Sequence, residues 1–203
     1  MDKKEQTIQT YNKSAKALSK KFYDIGVRVK DIKKGFSFIE KDNPKVIEIG
    51  CGNGREAEEI LKHTNNYLGI DISEELIKIA KKENPNGKFK IADVESFSFP
   101  QNIDIIFSFA SLLHSDKDNV KRILDRVYKS LSRDGIFYIS LKYGDYQEKT
   151  VKDEFGIRTY YFYTPELIKE LAGDRYKTVY IDIQDLRDQK WFNIVLKKLQ
   201  NRF

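Results

Sequence analysis

Three glycines at every second position, Gly50, Gly52 and Gly54, follow the apolar run Val46–Ile49 and precede a helical stretch in VIEIGCGNGRE. Glycine lets the backbone turn sharply there and lets a ligand lie against it with no Cβ in the way. The helix start that follows offers unpaired N–H groups. Two acids mark the ends of the next apolar runs, Asp71 in YLGID and Asp93 in FKIAD. Asp71 is placed to accept both hydroxyls of a ribose, and Asp93 to accept from an adenine amino group. Taken singly, either acid reads equally well as a helix cap or a surface charge. Taken together, the three strand ends describe an adenosine site on the C-terminal edge of a sheet, where open α/β sheets bind ligands.

The elements that must position these residues are short apolar runs alternating with amphipathic segments. The runs fall at 45–49, 67–71, 89–92, 103–109 and 135–141, and the clearest helix at 116–131, with Val120, Ile123, Leu124 and Val127 on one face. This alternation predicts a parallel sheet covered on both faces. The end of the chain departs from it. Thr164-Pro165 predicts an N-cap and a short helix to Leu171. TVYIDI (178–183) and WFNIVLKKL (191–199) are then joined by a short polar loop, which implies an antiparallel hairpin at the sheet edge. The expected fold is therefore α/β: a Rossmann-like, seven-stranded, mostly parallel sheet with helices on both faces and the last strand antiparallel. An N-terminal helical segment of two pieces, broken at Gly26 or Gly35, precedes it. Ile157–Tyr163 is a further β-prone stretch suited to an insertion strand or a pocket wall. The expected division is a helical lid over residues 1–44 and a ligand-binding domain over 45–203.

The glycine loop discriminates between cofactors. A dinucleotide fingerprint needs a third glycine where Arg55 stands, and here that glycine falls one residue early, at Gly54. The pattern E-x-G-x-G-x-G, with Asp71, Asp93 and the seven-strand order, resembles class I S-adenosylmethionine-dependent methyltransferases from Lys45 to Lys198. The resemblance implies S-adenosylmethionine as cofactor and S-adenosylhomocysteine as product. By that resemblance Glu48 orders the cofactor ammonium, and Gly50, Cys51, Gly52 and Gly54 form the turn that holds its methionine. Asp71 and Ile72 flank the ribose and adenine, and Asp93 and Val94 the adenine edge. Phe109, Ala110 and Ser111 run beneath the sulfonium, and Tyr11 closes over the cofactor.

The loop FSFASLLHS (107–115) bears on the acceptor. It has no proline of the Asn/Asp-Pro-Pro-Tyr/Phe type, and no acid lies between Asp104 and Asp116 to hold magnesium; no metal is expected. Cys51, the only cysteine, sits within the glycine loop, which excludes carbon methylation through a cysteine nucleophile. What remains resembles the small-molecule branch, with methylation at oxygen or nitrogen. His114 is the candidate base, although a histidine just before a helix also serves as a cap or packing residue. Lys142, Tyr143, Arg158 and Tyr161 are the candidate substrate contacts, with Lys142 and Arg158 suited to a carboxylate or phosphate.

Composition sets the wider bounds. The chain has 203 residues, 40% hydrophobic and 33% charged, with 13 Phe, 12 Tyr and one Trp, enough to fill one sizeable core. No run reaches the roughly 20 apolar residues of a membrane span. The start lacks a secretory signal, and one cysteine forms no internal disulfide, so a cytoplasmic setting is expected. The net charge of +6 lies wholly in residues 1–45, which carry 12 Lys/Arg against 6 Asp/Glu. That basic arm keeps RNA methylation, or a non-catalytic nucleic-acid-binding module, as the alternative. An NAD(P)-dependent oxidoreductase ranks below both. The oligomeric state is not legible.

Overall fold

A computed structural model describes residues 2–186 and 189–200. Nine strands and seven α-helices occur among these residues. Seven strands form one sheet: β1 (Val46–Ile49), β2 (Tyr67–Asp71), β3 (Lys88–Ile91), β4 (Ile103–Phe109), β5 (Leu131–Lys142), β8 (Tyr176–Leu186) and β9 (Gln189–Lys198). Their spatial order is β3-β2-β1-β4-β5-β9-β8, and every pairing from β3 to β5 is parallel. β9 runs antiparallel to both β5 and β8. This is the Rossmann-like architecture expected, with the reversed strand inserted one place inside the edge. Residues 187 and 188 of the expected polar loop lie outside the described residues.

Side-chain alternation along the strands divides the core in two. Ile47, Ile49, Ile106, Phe137 and Ile139 pack under α6 (Lys117–Ser130) and α7 (Pro165–Ala172). Val46, Ile105, Phe107, Ile136 and Tyr138 pack under α3 (Val29–Phe36), α4 (Ala57–Leu61) and α5 (Glu74–Glu83). The period of two follows from a pleated strand whose two faces are both covered. Val120, Ile123, Leu124 and Val127 of α6 are all fully buried, as their spacing predicts. The Thr164 hydroxyl accepts from the Leu167 N–H, with Pro165 at the first helical position.

Two elements differ from expectation, and a third, the insertion strand, gains a partner that was not expected. The N-terminal segment forms three helices, α1 (Lys3–Lys13), α2 (Ala15–Ile25) and α3, with an additional break at Ser14. Gly26 ends α2 as expected, whereas Gly35 lies inside α3. A Cβ on Gly35 would come within 2.4 Å of the Phe107 ring, so that glycine serves close packing instead of a break. β5 starts at Leu131, four residues before the expected Gly135. The β-prone stretch at 157–163 becomes β7 (Gly156–Phe162), paired antiparallel with β6 (Gln147–Asp153) in a separate hairpin. β6 reads QEKTVKD and is mostly exposed; with no apolar face it left no strand signal.

Helix α1 is fastened along β7 by hydroxyl groups. The Thr159 N–H donates to Thr7 Oγ1 at 3.1 Å. Thr10 Oγ1 accepts from the Ile157 N–H at 3.1 Å and donates to the Ile157 carbonyl at 2.7 Å. Ser14 Oγ donates to the Phe155 carbonyl at 2.6 Å. A helical face of period three to four thus meets alternate residues of a strand edge, meeting the backbone groups that an unpaired edge leaves open. Thr10→Val strands both Ile157 groups, so urea unfolding should show a loss of about 1–3 kcal/mol. A loss below about 0.3 kcal/mol would contradict the fastening.

Candidate active site

The C-terminal ends of β1, β2 and β4 open into a cavity of about 850 Å³, roofed by α1 and the segment joining α2 to α3. It lies where β1 and β4 diverge to opposite sides, the switch point at which such sheets bind ligands. The glycine loop is held from below, because the Gly50 and Cys51 N–H groups both donate to the Ile70 carbonyl, at 2.8 and 3.0 Å. Gly50 has φ +69, and a Cβ there would lie 2.1 Å from Ser111 Oγ. The loop and the end of β4 therefore touch at a point that admits no side chain. Asp71 Oδ2 accepts from the Gly52 N–H at 2.9 Å and Oδ1 from the Ser73 N–H at 2.8 Å. Burial raises its carboxyl from the usual value, against the pull of these N–H groups.

Tyr11, Gly50, Cys51, Gly52, Asp71 and Ile72 line the cavity. So do Asp93, Val94, Phe109, Ala110 and Ser111. Ala110 holds φ +56, a conformation uncommon outside glycine. Asp93 lies two residues past the end of β3, and Lys4 of α1 engages it. The Lys4 ammonium donates to Asp93 Oδ2 at 2.7 Å and to Glu95 Oε2 at 2.6 Å. Burial opposes the Lys4 charge, but those two carboxylates outweigh it and raise its pKa.

Two of the expected glycine-loop residues stand elsewhere. Glu48 is off the cavity wall, 1% exposed, and accepts from the Tyr67 hydroxyl at 2.6 Å. It shares strand parity with Val46, so its side chain enters the core on the α3–α5 side. Burial, then the neighbouring Glu56, raises its carboxyl well above the usual carboxylate range. The acid that does reach the wall is Glu56, held by Arg55 Nε at 2.6 Å. Gly54 also lies off the wall. A Cβ there would meet Asn84 Nδ2 at 2.7 Å, so this glycine lets the loop sit against α5.

His114, in the 3₁₀ turn Leu112–His114 after β4, faces the cavity between two partners. Its Nδ1 lies 2.6 Å from the Thr159 carbonyl, which can only accept; Nδ1 therefore carries the proton. That leaves Nε2 as acceptor for the Tyr11 hydroxyl at 2.8 Å. Burial lowers His114 to about 4, and the nearby Arg158 and Lys142 charges press it the same way. Burial likewise raises the Tyr11 phenol, which stays protonated.

Of the expected substrate contacts, Lys142 and Arg158 line the cavity, but Tyr143 and Tyr161 do not. Tyr143 packs edge-to-face on Phe192, and Tyr161 stacks on Tyr146 and donates to Glu148 Oε2 at 3.0 Å. On β7 alternate residues face the cavity, so the aromatic neighbour of Arg158 there is Tyr160. Strand parity counted from Arg158 would have found it. Lys4, Arg28, Glu95 and Trp191 also reach the wall; they lie far apart in sequence, and no spacing connects them.

Comparison with known proteins agrees with this geometry. Residues 46–135 match the family described as Methyltransferase domain. A malonyl-[acyl-carrier protein] O-methyltransferase of Ilyobacter polytropus is 26% identical over 163 residues, covering 78% of this chain and 55% of that protein. A phosphoethanolamine N-methyltransferase of Plasmodium falciparum is 32% identical over 129 residues, covering 61% of this chain and 48% of that protein. The chain spans about half the length of these curated relatives. The 1,6-didemethyltoxoflavin-N1-methyltransferase of Burkholderia thailandensis, solved with its substrate and S-adenosylhomocysteine, shares the fold. Its TM-score is 0.75 at 17% identity, over 95% of this chain and 87% of that one. Residues 46–135 thus match a methyltransferase domain, and the chain shares the Rossmann-like fold of solved S-adenosylmethionine-dependent methyltransferases.

Two solved neighbours, the Burkholderia thailandensis enzyme and the N-methyltransferase NodS of Bradyrhizobium japonicum, hold S-adenosylhomocysteine, and the donor set here fits S-adenosylmethionine. The loop at Gly50 has no room for a side chain, Asp71 offers a carboxylate at the end of β2, and apolar Ile72 and Val94 flank the base end. Among the described residues no group of His, Cys, Asp or Glu is disposed to hold a metal ion, and no helix is long and apolar enough to cross a membrane.

Proposed function

We propose that the protein transfers a methyl group from S-adenosylmethionine to an oxygen or nitrogen of a small-molecule acceptor. The observation that carries this reading is the hydrogen-bond chain Tyr11–His114–Thr159, which points into the same cavity as the glycine loop. When bound, the cofactor supplies an electrophilic methyl whose bond to sulfur breaks as the acceptor's lone pair takes it. The chain's own task is to hold the acceptor, exclude water and accept its proton. Orientation of this kind can lower a barrier by roughly 7–11 kcal/mol. Tyr11 donates to His114, so its remaining lone pairs accept the N–H or O–H of the acceptor, and the proton passes towards Nε2. Asp71 holds the ribose, Asp93 and Val94 the adenine edge, and Gly50 to Gly52 with Phe109 to Ser111 the methionine.

Residues 1–44 serve as a lid over the unit 45–203. Lys3, Lys4 and Lys21 are ion-paired with Glu148, Asp93 with Glu95, and Glu154 of the body. That use of the basic arm supports a lid over a nucleic-acid-binding surface. The relative named for phosphoethanolamine supports a small acceptor, and the cytoplasm is the setting we assign.

A thermal-shift series with S-adenosylmethionine, S-adenosylhomocysteine, NADH and NADPH tests the site. A ligand at 100 times its dissociation constant adds about 2.7 kcal/mol, which moves the midpoint by roughly 5–10 °C for a chain of this size. The two sulfur ligands should give that shift and the nicotinamides none. A shift with neither sulfur ligand would overturn the reading, and labelled-methyl transfer to candidate acceptors then identifies the nucleophile.

A further inference from the structure

Charge is distributed unevenly along the cavity. Glu56, Asp71, Asp93 and Glu95 stand at the end given above to the cofactor, whereas Arg28, Lys142 and Arg158 line the other end. These three cations are only partly satisfied, where buried cations ordinarily have full sets of partners. The Lys142 ammonium lies over the Tyr160 ring, 4.0 Å from its centroid. No carboxylate among the described residues supports its charge; burial, then Arg158 and Lys149, lower its pKa. Arg158 is 8% exposed and pairs through Nη2 with Asp153, yet its Nε has no partner. Arg28 reaches Asp31 at 3.5 Å and Ser140 Oγ at 3.4 Å, both at the limit of contact, and its Nε also has none.

Apart from Asp31, the groups that face this end from neighbouring elements are neutral or cationic. Tyr160 and Tyr11 are protonated, His114 is neutral, and Trp191 lies 5.8 Å from the Arg28 guanidinium. Buried N–H groups with no acceptor, beside an unpaired ammonium, are tolerated where an occupant supplies the acceptors. A guanidinium and an ammonium gathered at one aromatic ring, 5.7 and 4.0 Å from its centroid, suit an oxyanion, which takes a planar fork from one and a point charge from the other.

Resting on the methyl-transfer reading above, we infer that the acceptor is an anion whose carboxylate or phosphate oxygens seat between Lys142 and Arg158, with Arg28 as a second positive wall. The Tyr160 ring that both cations approach also lies 4.9 Å from the His114 ring, centroid to centroid. The methylated atom is therefore only a few bonds from the anionic group, as in a short amino or hydroxy acid or a small phosphate ester.

Calorimetric titration of the full chain, saturated with S-adenosylhomocysteine, tests this with three probes: inorganic phosphate, malonate and choline. One or both anions should bind, and choline should not. The tighter of the two anions identifies the acceptor's oxyanion as phosphate or carboxylate. Lys142→Gln and Arg158→Lys should each raise the anion's dissociation constant at least about tenfold while S-adenosylhomocysteine affinity stays within twofold. Arg158→Lys keeps the charge opposite Asp153 and loses only the fork, so folding is preserved. Binding of choline with neither anion, or anion binding unchanged in both variants, would overturn the inference and leave the methyl-transfer reading standing. Failure of S-adenosylhomocysteine to bind the unaltered chain would instead overturn that reading.

Discussion

His114→Ala is expected to lower kcat by about 10²–10⁴-fold, the range associated with a positioned acid–base group, with S-adenosylhomocysteine affinity nearly unchanged. The expectation follows from the tautomer. Nδ1 is committed to the Thr159 carbonyl, so Nε2 is free only to accept, and the Tyr11 hydroxyl at 2.8 Å is the group it accepts from. Tyr11→Phe removes the other half of this pair. Because the two act as one unit, the double variant should cost little more than the worse single one. Strictly additive losses would mean that the residues act separately, and a kcat within threefold of the unaltered chain in both single variants would remove the pair from the chemistry.

The pH dependence of the same pair has a defined sign. His114 titrates near 4 when folded and near 6.5 when exposed, so the folded chain binds fewer protons between these values. The stability this contributes is fully present above about pH 6.5 and is lost as pH falls towards 4. The acid limb of kcat set by His114 should accordingly lie near pH 4. His114→Gln should flatten the stability profile across pH 4–6.5. An acid limb at 6.5 would show that the imidazole is solvated in the working enzyme.

Gly50→Ala is expected to weaken S-adenosylhomocysteine binding by at least about 100-fold, as misplacement of positioning groups by about 1 Å can do. Two independent costs add at this residue. A φ of +69 disfavours any Cβ, by roughly 1–2 kcal/mol. The added methyl would also lie 2.1 Å from Ser111 Oγ and 2.3 Å from its Cβ. Either the glycine loop or the end of β4 must move, and both border the cavity. Pairing the change with Ser111→Gly relieves the clash but not the backbone strain, so it should recover part of the affinity. Binding of Gly50→Ala within threefold of the original would show that the loop does not touch the ligand.

Most of this architecture is legible in the chain itself, because it rests on local physics. The runs at 45–49, 67–71 and 103–109 announce buried strands, the 3.6-residue spacing of 116–131 announces α6, and Thr164-Pro165 announces the start of α7. Glycine at 50 and 52 and acids at 71 and 93 mark the strand ends where a nucleotide-like ligand must lie. Such signals depend on a residue and its near neighbours, and periodicity carries them.

Other features depended on which elements meet. Glu48 belongs to the recognisable loop pattern, yet strand parity turns it into the core, where burial raises its pKa. Gly54 serves the contact with α5, not the ligand. The pairing of Tyr11 with His114 spans 103 residues, and the meeting of Arg28, Lys142, Arg158 and Trp191 draws on four separate segments. The polar strand β6 exists because β7 lends it a partner, and α1 is fastened because its hydroxyls find the open edge of β7. Backbone preference and apolar periodicity account for the sheet, its reversed last strand and the strand ends that open into the cavity. The cations and the hydrogen-bond chain on its wall follow from packing alone, because their side chains come from α1, the segment before α3, β5, β7 and the turn after β4.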